Sequence, residues 1–366
     1  MSLGMKRVGI QTWAMFVDAY RELNSKKLFW ISLGISGLIV GIFALTGIDE
    51  KGLTFGPWHL GTGRINSDLI TPAQMYKSMF VQFGIGVWMS WAAIMLALVS
   101  TAGIFPDFLA SGSIDVLLSK PIGRLRLFLT KYMTGLFFVG FQILVFALAA
   151  ILVIGVRGGE WEFGMLVSVP LVTLMFSYLF AVMVLVGVVT RSTIASLLVT
   201  GVVWAILFVS HTADVLLMTQ HETTIMDRER LEMRLDKFGE DAIARSRLEE
   251  RLEEARDAER KWGFISKGMS GALTLLPKTS ETVDLISRMV VASANLPEPV
   301  DTETGDSARD PGPMGMNLSF RDRQEIGRRV EARLARRSVG WVLGTSIAFE
   351  ALVVGLGAWR FVRRDF

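Results

Sequence analysis

The chain contains no cysteine. That excludes disulfides, thiolate metal sites and cysteine nucleophiles. Histidine is scarce, with three in 366 residues. No apolar run carries a Ser-His pair, an Asp pair or a His-Glu-x-x-His stretch, so a membrane-embedded enzyme has little to work with. The phosphate cradle Gly-x-x-x-x-Gly-Lys-Ser/Thr is also missing, and with it the commonest way to hold a nucleotide. Charge of one sign is not in excess: the net charge is +3 and its Lys and Arg are scattered. Nucleic-acid binding would need a basic stripe. The N-terminus lacks the pattern of a secretory signal. Lys6, Arg7, Asp18, Arg21, Glu22, Lys26 and Lys27 run through the place where its apolar core would lie, so the first apolar run is expected to be a retained span.

What the chain has is apolar length. Apolar residues make up 51% and charged residues 20%, with a mean hydropathy of +0.44. Soluble domains average about 25% charged. A bilayer-spanning helix needs about 20 apolar residues, and six runs meet that length: 29–47, 78–104, 131–155, 164–189, 193–210 and 341–359. Pro170 is expected to kink the fourth, and the Gly-, Pro- and Thr-rich stretch 48–76 reads as a loop. The expected fold is all-α, a polytopic membrane protein of six transmembrane helices.

Four regions follow. Residues 1–28 form an amphipathic elbow helix lying in the membrane interface, with Trp13, Phe16, Val17, Tyr20 and Leu23 at helical spacing. Residues 29–210 hold helices one to five, with a loop at 105–128 between the second and third. Residues 211–340 form a charged helical insert containing a Pro- and Gly-rich linker at 297–316. Residues 341–366 hold the sixth helix and a basic tail. Within the insert, 225–261 alternates Glu and Arg along a thin apolar seam, as a helical hairpin turning near Gly239 would. Residues 262–296 are too short and interrupted to span, and 319–338 reads as a second charged helix. Basic residues near the first run, in 105–128, at Arg191 and in the tail place both termini in the cytoplasm and the insert outside. Arg328, Arg329, Arg333, Arg336 and Arg337, just before the sixth run, cut against that placement. Long loops translocate largely regardless of charge.

The most informative stretch runs from Gly103 to Lys131. It reads as a short helix with Pro106 near its start, Leu117 and Leu118 near its end and Pro121 as its stop. An apolar helix exposed between spans needs a partner to cover it. Here the sequence resembles the permeases of the second class of ABC exporters. In that family the loop between spans two and three carries an acidic residue, Gly-Thr or Gly-Ser, Leu-Leu-Ser-Lys-Pro, then an Arg and a Lys. Gly112, Ser113, Leu117, Leu118, Ser119, Lys120, Pro121, Arg124 and Lys131 fit, with Asp107 as the acidic candidate. The amphipathic start resembles the family's elbow helix, and Leu275-Leu276-Pro277 resembles its external helices before span six. The charged insert has no counterpart in the pattern. The chain is also similar to permeases of the nitrous-oxide reductase maturation group.

The resemblance implies a transport subunit rather than an enzyme. ATP and Mg would be bound by a separate ABC ATPase subunit, and this chain would carry no cofactor. A second copy of the permease would complete a homodimer in the bacterial cytoplasmic (inner) membrane, with lipid around it and no nucleic acid. ATPase coupling would fall to Asp107, Gly112, Ser113, Asp115, Leu117, Leu118, Lys120, Pro121 and Arg124. Two readings stay open: export of a substrate, or mechanotransmission and assembly acting on a periplasmic partner without solute transport. Outside the resemblance, Glu350 is the one acidic residue deep inside a run. A lone charge in lipid is expensive, so it should face protein or water. It reads as a pathway residue or as a structural hydrogen bond to a neighbouring span. His211, Asp214 and His221 form a weak metal candidate, and Gly37 with Gly41 is a small-xxx-small pair expected to allow close packing of spans.

Overall fold

The computed structural model describes Val17, Arg21, Ser67 and residues 27–59, 70–109, 123–237, 242–293 and 320–363. It is mostly helical, with six helices long and apolar enough to cross a membrane: Lys27–Leu45, Pro72–Leu109, Arg124–Gly158, Phe163–Thr190, Thr193–Asp236 and Val339–Val362. The elbow helix, apart from Val17 and Arg21, and the linker 297–316 lie outside the described residues.

The first span is α1 (Lys27–Leu45). A small antiparallel meander follows it, β1 (Thr46–Asp49), β2 (Gly52–Phe55) and β3 (Trp58–His59). The sequence reading made this stretch a loop. The strands are at most four residues long, too short for alternation to register, and their glycines mask them. Gly52 (φ 127°) and Gly56 (φ 58°) make the turns, conformations costly for any other residue. Asp49 accepts from the Lys51 N–H at 2.9 Å and closes the first turn.

The second span opens at α2 (Pro72–Met79). A capping box between Thr71 and Gln74 and a proline in the first turn start it. It is wound as a π-helix over Phe80–Ala92, then continues as α3 (Ala93–Thr101) and α4 (Ile104–Leu109). The third span is α5 (Arg124–Val153) with a π-turn at its end, capped by Gly159 at φ 79°. The fourth is α6 (Ser168–Thr190), entered through a 3₁₀ turn at Phe163–Val167. Pro170 is the third residue of α6. It follows the 3₁₀ turn by three residues, in the first turn of the α-helix, where proline is tolerated. α6 is the core of the bundle, with Tyr178, Phe176, Phe180 and Ala181 fully buried.

The fifth span belongs to α7, one helix from Thr193 to Lys237 (45 residues). α8 (Ala242–Ala272) follows, then α9 (Thr279–Ser293), α10 (Phe320–Ala335) and α11 (Val339–Val362). Arg228 pairs with Glu259 at 2.9 Å and Arg256 with Glu232 at 3.1 Å. α7 and α8 therefore run antiparallel, as a helical hairpin does; Gly239 itself lies outside the described residues. α9 packs its buried Thr282, Leu285, Ile286 and Val290 against α6 and the π segment.

The chain divides into two compact units. One comprises Met1–Trp204, Thr279–Glu298 and Ile347–Phe366; the other comprises Ala205–Lys278 and Pro299–Ser346. In the first unit, α1 keeps an open face. A Cβ added at Gly37 or Gly41 would meet nothing within 4 Å, so among the described residues no neighbouring span packs closely on the pair. Leu38 on that face is 64% exposed.

Candidate functional site

Contacts within the first unit define two ends of its bundle. At one end Lys77 of α2 is buried and donates to Glu160 at 2.6 Å and Glu162 at 2.7 Å, just after the third span. Tyr76 donates to the Thr46 carbonyl at the end of the first span. The opposite end holds both margins of the 105–128 loop. Ile104, Phe105, Pro106, Phe108 and Leu109 of α4 are buried, and Asp107 is exposed. Phe105 lies 5.0 Å from Phe128, Phe128 lies 5.7 Å from Phe361, and Phe108 stacks on Phe361 at 6.1 Å, ring centre to ring centre. Arg124 Nη1 donates to the Val362 carbonyl at 3.1 Å. Lys131 Nζ stands 5.4 Å above the Phe108 ring.

The described margins thus sit on an aromatic hub that joins α4, α5 and α11. The sequence reading had the whole apolar segment exposed and awaiting a partner. Its first turn is instead covered by the chain's own rings, because Phe105 and Phe108 fall on the side of α4 that meets α5, α6 and α11. Of the nine residues expected to couple to an ATPase, Asp107 and Arg124 are described. Gly112, Ser113, Asp115, Leu117, Leu118, Lys120 and Pro121 lie outside the described residues.

Glu350 stands in the middle of α11, with hydroxyls of two other spans against its carboxylate. Tyr132 Oη of α5 donates to one carboxylate oxygen at 2.7 Å, and Ser177 Oγ of α6 lies 2.7 Å from the other. The carboxylate therefore ties three spans together. Sequence reasoning isolated Glu350 but not its partners. A hydroxyl inside an apolar run was the available signal, and Tyr132 is one of only four tyrosines.

The second unit is built on an antiparallel ladder between α7 and α10. Its rungs are Arg337–Asp214 at 2.9 Å, Arg333–Glu222 at 2.5 Å, Arg329–Glu229 at 3.1 Å and Arg230–Asp322. Met218, Met226, Ile326 and Val330 fill the seam between the rungs. The ladder was legible in principle. Arg329 and Arg333 stand four residues apart on one face of α10, with Arg337 at the same spacing just past its end, and Asp214, Glu222 and Glu229 recur about every two turns of α7. Hydrogen bonds to Glu229 and then Glu325 hold the Arg329 guanidinium above its usual range. Asp214 is buried and also accepts from Ser270 Oγ at 2.8 Å. Arg333 Nη1 donates to His221 Nδ1 at 2.9 Å; a guanidinium cannot accept, which fixes the imidazole proton on Nε2. Asp214 and His221 are thus engaged by arginines, and no group of three metal-ligating side chains occurs among the described residues.

Comparison with known proteins agrees with the topology. No curated protein and no solved structure matches the chain. The model of one family, described as ABC-2 family transporter protein, matches residues 59–366. That covers five of the six spans in full, both loop margins and the second unit. Membrane subunits of this family are typically non-catalytic, and membership implies an ATPase partner. The chain is a multi-pass membrane protein and belongs to the ABC-2 transporter permease family.

Proposed function

We propose that this chain is the membrane-spanning subunit of an ATP-driven exporter whose ATP and Mg are held by a separate ATPase polypeptide, and that residues 105–128 are the element that ATPase engages. The family match over residues 59–366 carries the reading, together with the Leu-Leu-Ser-Lys-Pro run at 117–121. The aromatic hub supports it. A displacement imposed on the loop would be delivered directly to α5 and α11 through tightly packed rings, which shift as rigid bodies rather than deform.

Charge supports an orientation with the loop and both termini in the cytoplasm of a bacterial inner-membrane protein. Arg124, Arg126, Lys131, Arg191, Arg360 and Arg363 gather toward the hub end, as the positive-inside rule requires. The arginines before the sixth span, which opposed this orientation, lose much of their weight: Arg329, Arg333 and Arg337 are matched by Glu229, Glu222 and Asp214. A second copy of the chain would cover part of the exposed apolar face of α1 and α7, where Ile194 is 71% and Leu198 is 66% exposed, and lipid would cover the rest.

The second reading, force transmission to a periplasmic partner without a carried solute, draws on the ion-pair ladder. A charged helical unit cross-braced by four ion pairs would suit the role of a lever. A transport assay separates the two readings.

The test of the common core is purification from membranes in mild detergent, with the intact chain and with Gly112 and Ser113 replaced by proline. The intact chain is expected to bring down an ATP-hydrolysing subunit and the variant to lose it. Equal recovery by both removes the loop from the mechanism.

A further inference from the structure

Between α5 and α6, and reaching Glu350 of α11, the first unit carries a groove of about 1110 Å³. Its walls include Met133, Phe137, Phe141, Leu144, Pro170 and Leu174. It exceeds the usual range of ligand sites, about 300–1,000 Å³. Apart from Glu350, the polar groups along it among the described residues are the hydroxyls of Thr134, Thr173 and Ser177. Thr134 and Thr173 are spent on carbonyls of their own helices, Thr130 and Val169, each at 2.8 Å.

We propose that this groove binds a lipophilic organic monocation, with the Glu350 carboxylate as its counter-charge. Tyr132 and Ser177 lie 2.7 Å from the two carboxylate oxygens, and neither brings a counter-charge. No basic side chain pairs with Glu350 among the described residues. At the middle of a 24-residue span an uncompensated charge is costly, and a cation arriving with its own apolar body relieves that cost while filling the walls. Phe141, 49% exposed, offers a ring face that attracts a cation further. Other occupants fit less well. An acyl chain satisfies the walls and ignores the carboxylate. An inorganic cation needs several oxygen ligands, where this groove supplies one carboxylate amid hydrocarbon. An anion is repelled.

The inference does not rest on export. It is tested on the chain alone, without ATPase or ATP, in nanodiscs of zwitterionic phosphatidylcholine. Tetraphenylphosphonium is the probe, and tetraphenylborate, of the same shape and opposite charge, is the control. The native chain is expected to hold tetraphenylphosphonium well above empty nanodiscs and to show no such excess for tetraphenylborate. Glu350→Gln should weaken the cation about ten-fold or more, the usual consequence of removing one partner of a desolvated charge pair. Thr173→Phe keeps the carboxylate and fills the groove, and it should weaken the cation too. If Glu350→Gln does not fold, Thr173→Phe decides. Native binding equal to that of empty nanodiscs overturns the proposal, as does cation binding unchanged by either variant.

Discussion

Two ion pairs of the second unit show how burial decides what a charge contributes. Arg337 and Asp214 have side chains 15% and 2% exposed. Removing the arginine leaves a desolvated carboxylate with only Ser270 as donor. Arg337→Ala is expected to lower the unfolding free energy by about 3 kcal/mol, the low end for breaking a buried pair. Arg245 and Glu249 also pair, at 3.1 Å, but both are more than half exposed. Arg245→Ala should change stability by less than ~0.5 kcal/mol, as solvated i,i+4 pairs do. Chemical denaturation of the detergent-solubilised protein measures both. Equal losses would mean that the ladder is solvated rather than structural. Asp214 also shows what local spacing hides. Near His211 and His221 it resembled a ligand set, because an acid's true partner 123 residues away leaves no trace in local spacing.

At the scale of elements, the apolar spans were readable, whereas their ends and their long-range cover were not. The spans declared themselves because lipid demands a continuous apolar run. The Thr71–Gln74 capping box and Pro72 start α2 inside the 48–76 stretch that the sequence reading made a loop. The β-meander after α1 escaped because two- and four-residue strands offer no period to detect. α4 shows the other failure. Its apolar residues announced a need for cover without saying whose, and the cover is Phe128 and Phe361, close neighbours only once the fold is made. Phe128 is fully buried at the centre of the hub, with Gly357 so close that an added Cβ there would lie 3.3 Å from the ring. Phe128→Ala is expected to cost about 3 kcal/mol, as large-to-small changes in packed cores do. It should also reduce ATPase recovery with the chain, since the loop margins lose their seat. Phe137→Ala, on an exposed ring, should do neither. A thermal melt and a pull-down of the two variants check this; matching behaviour would mean the hub is not special.

At the scale of the whole molecule, composition settled the membrane class. The Gly103–Lys131 stretch supplied the resemblance that the family match over residues 59–366 bears out at the level of the ABC-2 permease. What passes across the membrane, if anything does, was not legible. Apolar walls look alike in sequence whether they face lipid, a partner helix or a ligand, and Glu350 was the one position where chemistry broke the uniformity. The central claim is that an ATPase docks on the 105–128 loop, at the hub end and not at the Lys77 end. The absence of cysteine makes a direct measurement available. Single cysteines are placed at Ser113 and, at the opposite end, at Lys51, and cross-linking to ATPase with a short bismaleimide follows in native membranes. The account predicts a cross-linked species from Ser113→Cys and none from Lys51→Cys. A cross-link from Lys51→Cys alone would invert the orientation and contradict the coupling role of the loop.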